Sequence, residues 1–125
     1  MLEIHKIERR TPSVAGAKRA ALASDLLFHG KWKLQVLWVM RSGPVRLGQL
    51  ARRIPGASKK VLIQNLRKLE ADGVIIRTDL SDVMLHVEYA LNPDLHEAVC
   101  NLLSQLGDWG DRYIRWTNIQ NEHEG

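Results

Sequence analysis

The sequence predicts a mainly α-helical fold carrying a small two- to three-stranded antiparallel β-wing, and three observations carry that prediction. Apolar residues recur at helical spacing between residues 16 and 72, interrupted only by short Gly and Pro punctuations. Directly after Gly73 the pattern changes to apolar-polar alternation. From residue 93 it returns to a helical stripe longer than a small core requires.

The first 15 residues contain basic pairs, Pro12 and little periodicity, and are expected to form an arm. Over residues 16–28 the alanines with Leu22, Leu26 and Leu27 give a first helix with a small-residue face, ended by His29-Gly30. Residues 32–40 are apolar on nearly every side (Trp32, Leu34, Val36, Leu37, Trp38, Val39, Met40), so this second helix should be buried on two sides. Pro44 cannot continue it and forces Gly43 out of the helical region.

Leu47, Leu50, Ala51 and Ile54 stand at i, i+3, i+4 and i+7 and predict a third, short helix that Pro55-Gly56 terminates. Ser58 can accept hydrogen bonds from unpaired amides in the first turn of a fourth helix, and Gly73 supplies the left-handed stop after Asp72. Two helices this close are a helix-turn-helix in sequence. Residues 74–78 then read as a strand, Leu80-Ser81-Asp82 as a turn and residues 83–91 as its partner, with Val83, Leu85, Val87, Tyr89 and Leu91 on one face. Such a ribbon must lie on the helices, because two strands do not stand alone.

Asn92-Pro93 should open the last helix as cap and first-turn proline. Its Leu95, Val99, Leu102, Leu106, Trp109, Tyr113 and Trp116 alternate spacings of four and three, the seam of a helix seeking another helix. Gly107 and Gly110 in that helix suggest a bend or the close approach of another backbone. The chain thus divides into an N-terminal arm (1–15), a winged helix-turn-helix unit including a first dimerisation helix (16–92), and a C-terminal dimerisation helix with its tail (93–125).

A length of 125 residues with 45% hydrophobic composition supports one domain with a modest core. The lone cysteine, Cys100, excludes an intramolecular disulfide, and no leader-like apolar run opens the chain, so a reducing, cytoplasmic setting is expected. The longest mostly apolar stretches, such as residues 34–40, fall far short of the ~20 residues that span a bilayer, and no membrane association is expected. The net charge of +4 conceals a dipole: residues 1–72 carry fifteen Lys and Arg against five acids, whereas residues 73–125 carry three against nine. A polyanion on one side of the molecule is the partner such asymmetry suits.

On a helical wheel Val61, Leu62, Leu66 and Leu69 cluster inward on the fourth helix, leaving Lys60, Ile63, Gln64, Arg67 and Ala71 outward. This face suits the major groove of double-stranded DNA: Arg67 can fork onto guanine, Gln64 can pair with adenine, and Ile63 can touch a thymine methyl. Ser58, Lys59 and Lys60 mark the helix start, where free amides attract phosphate. Arg46, Gln49, Lys68 and the arginines at 52 and 53 would add backbone contacts, with Arg77 and His86 doing so from the wing.

The ordered set Gly30-Lys31-Trp32, residues 43–50 (GPVRLGQL), residues 54–62 (IPGASKKVL), residues 66–75 (LRKLEADGVI) and residues 87–91 (VEYAL) resembles the HxlR-type winged-helix transcription regulators of the MarR-like superfamily. The resemblance spans about residues 26–110. It implies a homodimer joined through its first and last helices, which brings Leu22 and Leu26 to the seam with the stripe from Leu95 to Trp116. It also implies recognition helices (58–72) in successive major grooves of a near-palindromic operator, and wings (78–87) near flanking minor grooves. Two departures stand out. Redox-sensing members carry a cysteine at the start of the first helix, where this chain has Pro12, Ser13, Val14, Ala15 and Gly16. The family's wing shows prolines and an arginine before Val-Glu-Tyr, where this chain has Met84, Leu85 and His86.

Other chemistry is thinly supported. His96 and Cys100 stand four apart, but nothing nearby completes a metal set, and no nucleophile-base constellation or phosphate-cradling glycine loop emerges. No cofactor, metal or enzymatic activity is expected. Trp32, Trp38, Met40, Trp109, Tyr113 and Trp116 leave room for an unidentified small-molecule effector near the seam. Two other readings remain: a winged-helix protein-interaction module without an operator, and a small-ligand-binding dimer.

Overall fold

The apolar run beginning at Trp32 forms the centre of the molecule, with Val36, Leu37 and Met40 wholly buried and Gln35 and Trp38 left at the surface. The computed structural model describes residues 14–124. Within them the elements are α1 (Val14–Phe28), α2 (Lys33–Met40), α3 (Leu47–Arg53), α4 (Lys59–Ala71), β1 (Ile75–Asp79), β2 (Val87–Leu91) and α5 (His96–Glu124). The arm expected over residues 1–15 lies outside the described residues except for Val14 and Ala15, which already belong to α1.

Around α2 the other elements bury one face each. Leu50 of α3 and Ile54 just after it, Leu62, Leu66 and Leu69 of α4, Ile75 of β1, Leu91 of β2, and Val99 and Leu103 of α5 meet Leu27 of α1 in one core. At about 25 cal/mol per Å² of apolar area removed from water, each fully buried leucine contributes on the order of 2 kcal/mol. The helix-turn-helix follows from local chemistry. Ser58 Oγ accepts from the Val61 N–H at 3.2 Å and starts α4. At its other end Gly73, with φ of 78°, allows its own N–H to reach the Glu70 carbonyl and the Val74 N–H to reach the Leu69 carbonyl. Both bonds satisfy orphan carbonyls of the last turn and aim the chain into the ribbon.

β1 and β2 pair antiparallel from Ile75↔Leu91 to Asp79↔Val87. Val45 adds a one-residue third strand: its N–H and carbonyl both exchange 2.8 Å bonds with Tyr89. The second strand therefore begins at Val87, not at residue 83 as the alternation suggested. Val83, Met84 and Leu85 extend past the last core layer and are exposed, so no buried face rewards pairing there. The connection is closed instead by a Leu80 N–H to His86 carbonyl bond of 2.7 Å and by Asp79, whose Oδ1 accepts from the Ser81 N–H at 2.9 Å.

The start of the last helix also differs from expectation. Asn92 Oδ1 accepts from the Asp94 N–H and its carbonyl from the Leu95 N–H, making a separate turn, and α5 proper starts at His96. The amide of Asn92 is spent elsewhere: Nδ2 donates to the Gly73 carbonyl at 2.8 Å, and the backbone N–H to the Val74 carbonyl at 2.9 Å. These bonds stitch the end of the ribbon to the end of α4. The helix α5 runs unbroken for 29 residues through Gly107 and Gly110, about 43 Å at 1.5 Å per residue. Within the protomer Gly107 makes room for a side chain, since a Cβ there would lie 3.3 Å from Trp38 Cη2.

Candidate nucleic-acid interface

The outward face of α4 carries Lys60, Gln64 and Arg67, all exposed, above a floor of Leu62, Leu66 and Leu69. Lys59 and Ser58 stand exposed at the helix start. Ile63, expected fully outward, is half-buried at the edge of that face. Part of its branched side chain is thereby removed from water. Lys68 is exposed but held 3.3 Å from Asp72 Oδ1, one turn on.

Next to this face lies a polar cleft lined by Asp25 of α1, His29 just after that helix, Lys33 of α2, and Gln64, Asn65 and Lys68 of α4. Sequence reasoning misses Lys33, which is only 3% exposed. Its stem lies among the core residues while Nζ donates to the Asp25 carbonyl at 3.0 Å in the last turn of α1, where the dipole of that helix favours a cation. Burial pushes the ammonium below the usual lysine range, and Asp72 opposes that shift. A lysine soon after the His29-Gly30 break is the available signal: it is placed to reach back to unpaired carbonyls.

A second basic surface joins α3 to the wing. Arg46 precedes α3, and its N–H donates to Gln49 Oε1 at 2.9 Å, so Gln49 closes the start of the helix. The Arg46 guanidinium donates to the Leu85 carbonyl at 3.0 Å, a tether between helix and wing that spacing could not reveal. Arg46 lines three neighbouring concavities, which bring it together with Arg52 and Gln49, with Arg77 and Tyr89, and with Met84 and His86. Nε2 of His86 stands 3.8 Å from the Glu88 carboxylate. The expected contact residues thus form two groups, the α4 face and the Arg46–wing surface.

The seam residues divide as well. Val99 is buried in the chain's own core, as is Leu103, so Val99 has little surface to offer a partner. Leu26 and Leu102 are half-buried and pack against the core. Leu22, Leu95, Leu106, Trp109, Tyr113 and Trp116 are exposed, together with Ile114 and Ile119, which the stripe omitted. The Trp109 and Tyr113 rings stack at 5.7 Å, and Trp116 stands 5.9 Å further along. An apolar groove lined by Ala23, Leu26, Leu27, Val74, Leu95, Ala98, Val99 and Leu102 separates α1 from α5. Cys100 is half-buried, and no cluster of three metal-ligating side chains occurs among the described residues.

Residues 27–118 match the model of the HxlR-like helix-turn-helix family. The uncharacterized HTH-type transcriptional regulator YkvN of Bacillus subtilis (strain 168) is 39% identical over 95 residues, covering 76% of this chain and 80% of that one. The uncharacterized HTH-type transcriptional regulator YtfH of Escherichia coli (strain K12) is 40% identical over 79 residues, covering 63% and 62%. Among solved structures, a MarR-family protein from Enterococcus faecalis V583 superposes with a TM-score of 0.72 at 31% identity, over 86% of this chain and 94% of that one. The redox regulator HypR in its reduced form gives 0.70 at 29% identity, over 75% and 91%. No described helix is long and apolar enough to cross a membrane.

Proposed function

The chain belongs to the HxlR-like helix-turn-helix family of transcriptional regulators, and from that premise we propose that it acts as a homodimer on a near-palindromic operator. In this reading α4 enters the major groove, with Arg67 and Gln64 on base edges and Ile63 on a methyl group at the groove wall. Ser58, Lys59, Lys60 and Lys68 contact phosphates beside it, while Arg46, Gln49, Arg77 and His86 hold the backbone where α3 meets the wing. The proposed organisation is a reading unit over residues 16–92, whose first helix begins at Val14, and a dimerisation helix with tail over 93–125.

One observation carries the proposal: the same protomer presents an exposed Lys60-Gln64-Arg67 face and, on α5, an aromatic row of Trp109, Tyr113 and Trp116 that its own core does not cover. Apolar area of that size exposed along one helix favours association with a partner. A second copy then repeats the cationic face by symmetry, as a palindrome demands.

Selection of binding duplexes from a random pool, followed by mobility shift at rising salt, tests the reading. With 6–10 phosphate contacts the affinity should fall about 10³–10⁵-fold between about 50 and about 200 mM salt. No shift at micromolar protein, or a shift insensitive to salt, would contradict it and hand the basic face to an acidic protein partner.

A further inference from the structure

The tip of the wing is the most exposed apolar feature of the described residues outside the helices: Val83 is 93% exposed, Met84 79%, Leu85 79% and Leu80 49%. Four such side chains side by side have no packing reason to face water. They are nonetheless held in place. The Arg46 guanidinium binds the Leu85 carbonyl, the Leu80 N–H binds the His86 carbonyl, and Ser81 Oγ accepts from the His86 N–H at 2.8 Å. The tip is therefore a braced protrusion on a two-stranded stalk.

We propose that this tip is an apolar wedge that enters the minor groove of duplex DNA and unstacks a base step, bending the duplex; the proposal rests on the operator-binding reading above. Three features favour DNA as its occupant. A narrow protrusion fits a groove, whereas a protein partner fits a broad apolar face such as that of α5. Arg46 and Arg77 share a concavity with Leu85 of the tip, where their charges can meet the phosphates bordering such a groove. Of the three acids of the ribbon and its tip, Asp79 accepts from the Ser81 N–H and Glu88 stands 3.8 Å from His86 Nε2, so Asp82 alone carries a carboxylate without a partner among the described residues.

Unbranched Met84 and γ-branched Leu85 are side chains of the kind that unstack base steps from the minor groove. An arginine inserted there would read groove width and potential. A methionine-leucine wedge should instead favour flexible pyrimidine–purine steps, which unstack at low cost. The chain would thus recognise deformability at the flanks of its operator while α4 reads bases at the centre of each half-site.

The test uses the full chain and a duplex recovered by its own selection from a random pool, end-labelled for energy transfer and carrying 2-aminopurine at the flanking steps. Wild type should shorten the end-to-end distance and brighten 2-aminopurine. M84A/L85A, altered at exposed positions, should bind about tenfold more weakly, keep the salt slope because no charge is removed, and lose both signals. A wild-type complex with a straight duplex and silent 2-aminopurine overturns the wedge while leaving operator binding intact. So does an M84A/L85A complex with full bend and brightening, which would make the tip a protein-contact site. Recovery of no duplex at all overturns the operator reading and the wedge with it.

Discussion

The indole of Trp38 on α2 occupies the notch that Gly107 leaves in α5: a Cβ at Gly107 would stand 3.3 Å from Trp38 Cη2 and 3.7 Å from Cζ3. The Arg41 guanidinium, just past the end of α2, lies over the same part-exposed ring, 3.6 Å from its centroid, so the indole has α5 on one side and the arginine on the other. This contact joins the long helix α5 to α2.

Gly110, three residues on, would meet nothing within 4 Å of an added Cβ. Gly110→Ala should therefore stabilise the chain by about 0.5–1 kcal/mol through helix propensity alone. Gly107→Ala gains the same propensity but must displace a held indole, and should instead destabilise by about 1 kcal/mol. Urea melts of the two variants check the pair; equal gains would show that Trp38 yields freely.

Lys33→Ala removes both the bond to the Asp25 carbonyl and the packing of the lysine stem. A loss of about 1–3 kcal/mol is expected. Lys33→Met should recover part of it, since the stem is restored without the charge. Full recovery in denaturant titrations would show that the ammonium contributes nothing.

Within the reading face, Arg67→Ala should cost about 1–3 kcal/mol on the selected duplex and relax preference at one base position. Lys59→Ala should weaken all duplexes alike and reduce the salt slope by about 1. Binding of each variant to the selected and a scrambled duplex separates the roles, and identical sequence-blind losses would contradict them.

The wing turn should respond to acid. Hydrogen bonds from the Ser81 side chain and then its backbone hold the Asp79 carboxyl below the ordinary carboxylate range. A depressed carboxyl stabilises the folded turn above that range, and the contribution disappears as pH falls through the folded value. The Ser81 amide resonance should titrate at a pH lower than that of a free aspartate, and Asp79→Asn should abolish the titration. A Ser81 amide that titrates at the ordinary value would show that the turn bond is absent in solution.

The helices are legible in the sequence because their signals are local. Leu47, Leu50, Ala51 and Ile54 announce α3, Ser58 and Gly73 bracket α4, and the 3.6-residue period needs no knowledge of the rest of the chain. The strand boundary is misplaced by sequence because Val83 and Leu85 continue the alternation past the point where the core ends, and alternation cannot report where a partner layer stops. Long-range bonds are invisible for a related reason. Arg46 to Leu85 spans 39 positions and Asn92 to Gly73 spans 19, and both use backbone carbonyls, which carry no residue-type signal. Val99 shows the limit of a stripe: the same apolar spacing serves the core at Val99 and Leu102 and a bare surface from Leu106 onward.

The proposed function requires two α4 faces carried by one α5-paired scaffold. Sedimentation velocity of the protein, alone and with the selected duplex, measures that directly, with W109E/W116E as the control. The expected result is a dimer in free solution, two protomers per duplex, and a monomer with strongly weakened DNA binding for W109E/W116E. A wild-type protein that sediments as a monomer and binds the duplex one to one would contradict it.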